Sequence, residues 1–337
     1  MQLFKTNIAD SDIRVISEVL KEGSLGFGPN VGIFEKEFKV FSGKSNNIGT
    51  NSASASAFML FAYLKEKYGS CDIYTPSIGF TCPAWAAQHH GHNIIWVEVD
   101  NNLLFNIDDY KQKRRLRCEG YSDGGIKPVL MPILYGGVSN IEGFDDIHKD
   151  GYNEIIVVDS AHCVTPKIKS DFIFFSFHPY KPVAASDGGM ISTEDEKASE
   201  WFRNYRNFGR INNNSGYDIE MEGFKFYMNN LNATIALTQL RKYPNNLSIR
   251  KKNHILLEQG NLKGRLLPHD DYSSYYFGTL IVNKDNIEEM IRKYPTSKHY
   301  PLLHKTKYFN KGGSLPFTEE IHKYIVNIPL YENIHNS

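Results

Sequence analysis

Short apolar runs alternate with helical patterns from residue 72 to residue 205, and this alternation constrains the fold more than any other feature of the sequence. The run Ile-Ile-Val-Val at residues 155–158 is long enough for a strand and has no polar face, as expected for a strand buried on both sides. Further strands are predicted at residues 72–76, 94–99, 128–132 and 190–192, with helices at 80–88, 141–149 and 196–205. The pattern predicts an α/β fold with a mostly parallel central sheet covered by helices.

The alternation stops near Pro244, which favours a second, smaller domain. The chain has 337 residues, of which 41% are hydrophobic, and this is enough for one large core and a smaller one. We predict a large α/β domain at residues 1–243 and a smaller α+β domain at residues 244–337. The further predicted elements are a polar, Asn- and Gly-rich loop at 210–222, helices at 231–240, 249–259 and 287–294, and a strand at 275–282.

Charge and cysteine content exclude several classes of protein. Lys and Arg together number 38, as do Asp and Glu, and no long run of one sign predicts a nucleic-acid or membrane partner. The four cysteines lack CxxC pairing and metal-ligand spacing, so we expect reduced thiols and no metal site. The N-terminal residues contain no apolar signal core, and no apolar run approaches the roughly 20 residues that span a bilayer. We therefore expect a cytoplasmic protein.

Two charged residues follow neighbouring apolar runs. Asp159 closes the run at residues 155–158, and Lys181 comes just after the run that ends near Ser176. Ligands of parallel sheets bind beyond the carboxyl ends of the strands, where both residues are predicted to lie. An acid that pairs with a pyridine nitrogen and a lysine that forms a Schiff base are what pyridoxal 5'-phosphate (PLP) requires. Each residue alone also has an ordinary explanation, as a turn-capping acid or a solvated surface lysine.

Four further features could complete such a site. Small residues at 51–57 precede an apolar helix, which suits either a phosphate-binding helix N-terminus or a Ser-capped helix packed closely through its alanines. His162 could bind the phenolic oxygen of the cofactor or serve the structure. Ser176 offers a hydroxyl to a phosphate. Phe80 follows a strand and could stack on a planar ring, although most Phe residues lie in the core.

Taken together, these residues resemble the DegT/DnrJ/StrS family of PLP-dependent nucleotide-sugar aminotransferases. The block from Ser176 to Pro182, Ser-Phe-His-Pro-Tyr-Lys-Pro, is the most specific part of the likeness. The remaining matches follow in order along nearly the whole chain, at residues 28–29, 50–54, 76–80, 97–107, 132–136, 159–162, 187–189, 206–209, 228–233 and 299–304. The resemblance implies the aspartate aminotransferase fold.

The resemblance also implies roles for individual residues. Lys181 would form the Schiff base with PLP, Asp159 would pair with the pyridinium, and Phe80 would stack on the ring. His162 would lie near the ring oxygen. The phosphate would bind the amides of Ala53 and Ser54 and the hydroxyl of Ser176. Dehydratases of this family carry His in place of the lysine, so the presence of Lys181 argues against that variant.

Three positions depart from the family pattern. Ala53 replaces a glycine of the phosphate turn and requires a negative φ. Lys225 replaces an Asn that, in many relatives, reaches the phosphate bound by the neighbouring subunit. We expect Lys225 to make the same contact as an ion pair, the alternative being that it points away. The chain stops at residues 331–337, where relatives continue into another helix.

The implied function is transfer of an amino group, with glutamate as the expected donor, to a keto group of a nucleotide-linked deoxysugar for surface glycan or antibiotic sugar synthesis. A homodimer with active sites built from both chains is implied as well. Two alternatives stay open: a PLP-binding regulatory protein without turnover, and an aminotransferase for a smaller phosphorylated or linear ketone.

Overall fold

A large, mostly parallel sheet forms the centre of the protein. The computed structural model describes residues 4–118, 126–150, 153–213, 216–294, 300–310 and 313–331. Within these residues the large sheet consists of Asn46–Thr50 (β1), Asp72–Pro76 (β2), Asn93–Val97 (β3), Pro128–Leu130 (β4), Ile155–Asp159 (β5), Phe172–Ser176 (β6) and Gly189–Thr193 (β7). Its strand order is β1-β7-β6-β5-β4-β2-β3. Only β7 runs against its neighbours, so the predicted mostly parallel sheet is confirmed.

Helices cover both faces of this sheet. The α-helices of the described residues are Asp10–Glu22 (α1), Pro29–Ser42 (α2), Ala53–Tyr68 (α3), Thr81–His89 (α4), Ile107–Cys118 (α5), Glu196–Tyr205 (α6), Asn230–Glu258 (α7), Ile287–Lys293 (α8) and Pro316–Ile321 (α9). Alternate residues of β5 enter two different cores: Ile155 and Val157 pack with α3 and α6, whereas Ile156 and Val158 pack with α2 and α7. The uninterrupted apolar run in the sequence reflects this two-sided burial.

The segment predicted as a loop at residues 210–222 contains two paired strands instead. Arg210–Asn213 (β8) pairs antiparallel with Gly216–Ile219 (β9). The pairing depends on backbone hydrogen bonds, and these could not be predicted from the Asn- and Gly-rich sequence. The prediction of a loop was therefore wrong for these residues.

The predicted break at Pro244 is also absent. Helix α7 runs through this proline, so the helices expected at 231–240 and 249–259 are one. Proline in a helix removes one backbone hydrogen bond, but Tyr243 and Asn246 beside it are buried. Tertiary packing on both sides of Pro244 therefore maintains the helix. The domain boundary at 243/244 stays a prediction.

A smaller antiparallel sheet follows α7. It consists of Gly264–Leu266 (β10), Phe277–Val282 (β11) and Ile325–Pro329 (β12). Leu280 and Val326 from this sheet form a separate apolar cluster with Met290 of α8. This agrees with the α+β character predicted for the C-terminal part.

Other predictions differ in detail or lie outside the described residues. The helix predicted at 141–149 is a 3-10 helix at Phe144–Asp150, and strand β1 and helix α5 were not predicted. His299 of the 299–304 signature and residues 332–337 of the tail are not among the described residues. Cys71, Cys82 and Cys163 are free thiols, as expected. In the described part of the chain, no helix has the length and apolarity needed to cross a bilayer.

Candidate active site

A cavity of about 370 Å³ lies where the carboxyl ends of three strands meet the start of a fourth. Gly189 at the start of β7 pairs with both Thr50, the last residue of β1, and Ser176, the last residue of β6. Asp159 ends the adjacent strand β5. Seven of the eight predicted site residues line this cavity: Ala53, Ser54, Phe80, Asp159, His162, Ser176 and Lys181.

Asp159 and Lys181 hold opposite charges in a setting that favours neither. Burial raises the pKa of Asp159 to about 6, although the Ala161 amide, 3.0 Å from its Oδ1, and the Lys181 ammonium both act to lower this pKa. Burial lowers the pKa of Lys181 to about 8, against the opposing effect of Asp159 and Cys82. The neutral amine is the nucleophile. Because of this lower pKa, the fraction of Lys181 that is neutral at pH 7 is roughly 10²-fold larger than for an ordinary lysine.

The loop that carries Lys181 is built by backbone hydrogen bonds. The Lys181 amide donates to the carbonyl of His178 at 2.8 Å, and the Phe177 amide donates to the carbonyl of Gly188 at 2.8 Å. Pro179 and Pro182 restrict the backbone on either side. The Lys181 Nζ lies 5.0 Å from the centre of the Tyr276 ring. The amine is thus directed into the cavity.

Helix α3 begins on another side of the cavity, and its first turn is capped by a serine. Ser52 is the N-cap, and its Oγ accepts from the Ala55 amide at 3.1 Å. Ala53 is the first helical residue and is not among the residues with positive φ, so the methyl group causes no backbone strain. The Ser-capped helix expected from the sequence is confirmed, and Ala53 and Ser54 still line the cavity. The N–H groups in the first turn of α3 are therefore suited to bind an anion.

Gly189 allows this helix start to approach the sheet, and we expect Gly189→Ala to destabilise the fold. A Cβ at this position would lie 2.4 Å from the Ser52 carbonyl carbon and 2.6 Å from the Ala53 nitrogen. Backbone atoms cannot move aside as a flexible side chain can, so the free energy of unfolding should fall by about 1–3 kcal/mol. Chemical denaturation measures the change, and PLP affinity should fall with it.

Gly32→Ala is the matched control, because Gly32 lies in α2 with no atom within 4 Å of the added Cβ. That variant should be unchanged or more stable by about 0.5–1 kcal/mol. Equal stability of the Gly189→Ala and wild-type proteins would contradict the close approach.

The other predicted cavity residues differ in how they are held. Phe80 is the N-cap residue of α4 and is 56% exposed, so one face of its ring is open to a ligand. His162 is buried, and its Nε2 lies 2.9 Å from the hydroxyl of Tyr300. The Ser176 Oγ accepts a long hydrogen bond of 3.4 Å from the His178 amide. A hydroxyl so weakly engaged can donate its proton to a phosphate.

Lys225 is the predicted site residue that does not line this cavity. Its side chain is exposed, and its carbonyl accepts from Asn51 Nδ2 at 3.1 Å. With Asn51, Tyr227 and Asn229 it borders a second cavity of about 510 Å³. Lys225 therefore lies beside the start of α3 without reaching the cavity within its own subunit.

Several cavity residues were not predicted from the sequence: Phe4, Cys82, His178, Tyr180, Asp187, Tyr276 and Tyr300. His178, Tyr180, Asp187 and Tyr300 stand in motifs that carry the family resemblance, and this was the available signal for them. Phe4 and Tyr276 lie far from those motifs in sequence, and no local pattern distinguishes them from core aromatics.

The residues fit PLP by their chemistry. A half-exposed aromatic ring, a buried acid, an amine of lowered pKa and a helix N-terminus with a nearby serine hydroxyl surround one small cavity. These groups match a flat pyridine ring with an aldehyde and a phosphate. The fold and the site together define a PLP-dependent transferase of the aspartate aminotransferase fold.

Comparison with known proteins gives the family. The sequence model of the DegT/DnrJ/EryC1/StrS aminotransferase family matches residues 6–337. The chain therefore belongs to this family of PLP-dependent aminotransferases. The chain is 27% identical to the spore coat polysaccharide biosynthesis protein SpsC of Bacillus subtilis, over 97% of this chain and 91% of that protein. It is 26% identical to the UDP-4-amino-4,6-dideoxy-N-acetyl-beta-L-altrosamine transaminase of Campylobacter jejuni, over 73% of this chain and 65% of that protein.

The fold is also that of a solved relative. The putative sugar aminotransferase Spr1654 from Streptococcus pneumoniae, in its PMP form, is similar with a TM-score of 0.86 and 20% identity. The match covers 99% of this chain and 93% of that chain.

Proposed function

We propose that this aminotransferase moves an amino group from glutamate to a keto group of a nucleotide-linked deoxysugar. The observation that carries the proposal is the shared cavity of Asp159 and Lys181, with the pKa of each displaced toward neutrality. The sugar nucleotide is supported by the Campylobacter jejuni relative, whose name specifies a UDP-linked dideoxysugar. A cavity of about 370 Å³ is near the lower end of the roughly 300–1,000 Å³ range of ligand pockets. The cofactor and reacting sugar would fill it, leaving the nucleotide outside.

Lys181 and Asp159 would carry the chemistry. Bound PLP supplies an electron sink for the carbon that loses its proton. Lys181 would attach to the cofactor through Nζ and, once displaced by the amino donor, accept the proton from the α-carbon of the donor. Asp159 would keep the pyridine nitrogen protonated, since a carboxylate in this buried position gains from an adjacent positive charge.

The remaining residues would bind and orient the cofactor. The amides of Ala53 and Ser54 and the hydroxyl of Ser176 would hold the phosphate. Phe80 would stack on the ring, and His162 would lie near its oxygen. This assignment is supported by the position of all five residues on the wall of one cavity.

The phosphate would also need a cation from a second subunit. Among the described residues that line the cavity, Lys181 is the only lysine or arginine. Its amine would be bonded to the cofactor and is therefore not available to balance the phosphate. A phosphate carries a charge between −1.5 and −2 at pH 7, so a further cation would balance it. Exposed Lys225 beside the start of α3 suits this role if a homodimer brings Lys225 of the partner subunit to each phosphate.

We expect Lys225→Ala to weaken PLP binding about 10–100-fold, because a hydrogen bond to a charged group contributes about 1.5–3 kcal/mol. Equilibrium dialysis of PLP against the apoprotein measures the loss, and Lys225→Arg should retain most of the affinity. Mixing the Lys225→Ala and Lys181→Ala variants then tests the origin of the cation. If Lys225 acts in trans, each mixed dimer contains one site with both lysines, and activity reappears at a PLP concentration too low to load the Lys225→Ala dimer. If mixed dimers form and no activity reappears, the trans assignment is wrong.

A two-step assay tests the proposed function. Glutamate should convert the bound cofactor to its amino form, which is followed by absorbance, and a panel of UDP-, TDP- and GDP-linked ketosugars should restore the starting form. Conversion by glutamate without return by any sugar nucleotide would favour a smaller ketone as acceptor. Failure of the first step with every amino donor would favour the regulatory alternative.

A cytoplasmic location stays a prediction.

A further inference from the structure

An aromatic wall of three residues lines the cavity beside Lys181. The Phe4 ring is stacked on Tyr276, with centres 4.6 Å apart and planes 12° apart. It also lies 5.9 Å from the Tyr180 ring, at 20°. Tyr276 is the ring that Lys181 Nζ contacts. We call Phe4, Tyr180 and Tyr276 the aromatic wall. Tyr276 of this wall contacts the reactive amine, and Phe4 stacks on Tyr276.

The N-terminal segment holds Phe4 in this wall from two sides. The Thr6 hydroxyl donates to the carbonyl of Pro179, in the loop that carries Lys181. The Asn7 carbonyl accepts from Gln239 Nε2 and Lys242 Nζ of α7, each at 3.1 Å. Phe4 is therefore positioned by contacts to the same loop that positions the amine.

The Phe4 ring of this wall does not suit the polar groups of the cofactor or of the amino donor. PLP offers a phosphate, a pyridine nitrogen and a phenolic oxygen, and Asp159, Ser176 and the start of α3 already provide partners for such groups. Glutamate carries two carboxylates, which require cations or hydrogen-bond donors, and Phe4 has neither. A stacked apolar ring favours instead an apolar part of a ligand.

We propose that Phe4 is a specificity-determining residue for the acceptor, and that the aromatic wall receives the methyl group and C–H face of a deoxysugar. A hydroxyl at that carbon would exchange water for the apolar ring of Phe4, which is unfavourable. This inference rests on the proposed function, because it names the part of the sugar that the same site recognises. Apolar pockets distinguish one methyl group by about 10–200-fold and reject an added hydroxyl by about 10²-fold.

Product binding tests the proposal without turnover. The probes are UDP- and TDP-linked 4-amino-4,6-dideoxyglucose, the same compounds with the 6-hydroxyl, and UDP or TDP alone, each titrated by calorimetry into the protein that carries the amino form of the cofactor, because this form cannot exchange its nitrogen with an amine. Wild type should bind the methyl-bearing compound about 10–100-fold more tightly than the hydroxyl-bearing one. Phe4→Ala should reduce this ratio at least fivefold, Phe4→Leu should preserve most of it, and affinity for the bare nucleotide should be unchanged in both.

Two controls separate this role from others. Ile8→Ala alters an exposed residue of the same segment and should leave every affinity as in wild type. The absorbance of bound PLP and its conversion by glutamate should be unchanged in Phe4→Ala. An unchanged methyl-to-hydroxyl ratio in Phe4→Ala overturns the inference, as does an equal loss for bare nucleotide. Failure of wild type to bind any sugar nucleotide would instead overturn the proposed function and the inference with it.

Discussion

Lys181→Ala should abolish covalent attachment of PLP and nearly all turnover. The variant should lose the absorbance band of the lysine-bound cofactor, and borohydride treatment should leave no cofactor mass on the peptide that contains residue 181. Activity should fall by at least about 10²–10⁴-fold, which is the contribution of a positioned acid–base group alone. The neighbouring environment makes this effect specific, because burial lowers the pKa of this lysine to about 8.

Two variants provide controls for this result. Lys181→Arg keeps a positive charge next to Asp159 but has no reactive amine, so it should be as inactive as Lys181→Ala. Lys36→Ala removes an exposed charge on α2 and should behave as wild type. A Lys181→Ala protein that retains the band and normal turnover would show that another residue holds the cofactor.

Asp159→Asn should lower activity while leaving the apoprotein as stable or more stable. Asparagine retains an oxygen for the Ala161 amide, 3.0 Å away, but cannot hold a charge opposite the pyridine nitrogen. Loss of one such electrostatic group costs about 10²–10³-fold in turnover. Absorbance titration with PLP should show weaker binding, because the protonated ring loses its partner.

The stability effect of Asp159→Asn depends on pH. The pKa of Asp159 is raised from 3.8 to about 6 on folding, so folding is favoured when this group is protonated. That stability is fully present below pH 3.8 and is lost as the pH rises through about 6. At pH 7.5 the apo Asp159→Asn variant should therefore exceed wild type by about 1–3 kcal/mol, from roughly two units of pKa shift.

Thermal unfolding of both apoproteins from pH 4 to pH 7.5 measures this difference. Wild type should lose stability relative to Asp159→Asn across that range. A variant that is less stable than wild type at pH 7.5 would mean that the Asp159 carboxylate stabilises the apoprotein, contrary to the direction of its pKa. Asp159 would then serve the fold more than the cofactor.

The strand ends and the Lys181 loop could be predicted because their signals are local. The run at residues 155–158 is apolar on both faces, and Asp159 at its end had to lie at an edge of the sheet. Strand β1 was missed because Asn46 to Thr50 is polar and Gly-containing, with little strand propensity. It forms because β7 supplies its ladder and Ser192 donates to the Asn47 side chain at 2.6 Å.

Phe4 and Pro244 show the opposite limit. Pro244 indicates a helix end by local rules, yet buried neighbours on both sides maintain α7. Phe4 enters the cavity only because Thr6 and Asn7 are held by residues far away in the chain. The packing that decides each case joins segments too distant for a pattern of spacing to reveal.

By itself, the sequence determined the α/β class, the acid and the amine of the cofactor site, and the family resemblance, because each depends on residue type and short-range order. Only the tertiary structure decided that Asp159 and Lys181 share one buried cavity, where loss of water shifts both pKa values toward neutrality. It alone separated Lys225 from that cavity and brought Phe4 to it. Burial and long-range contacts are properties of the packed chain, and they set the reactivity of the amine and the shape of the space beside it.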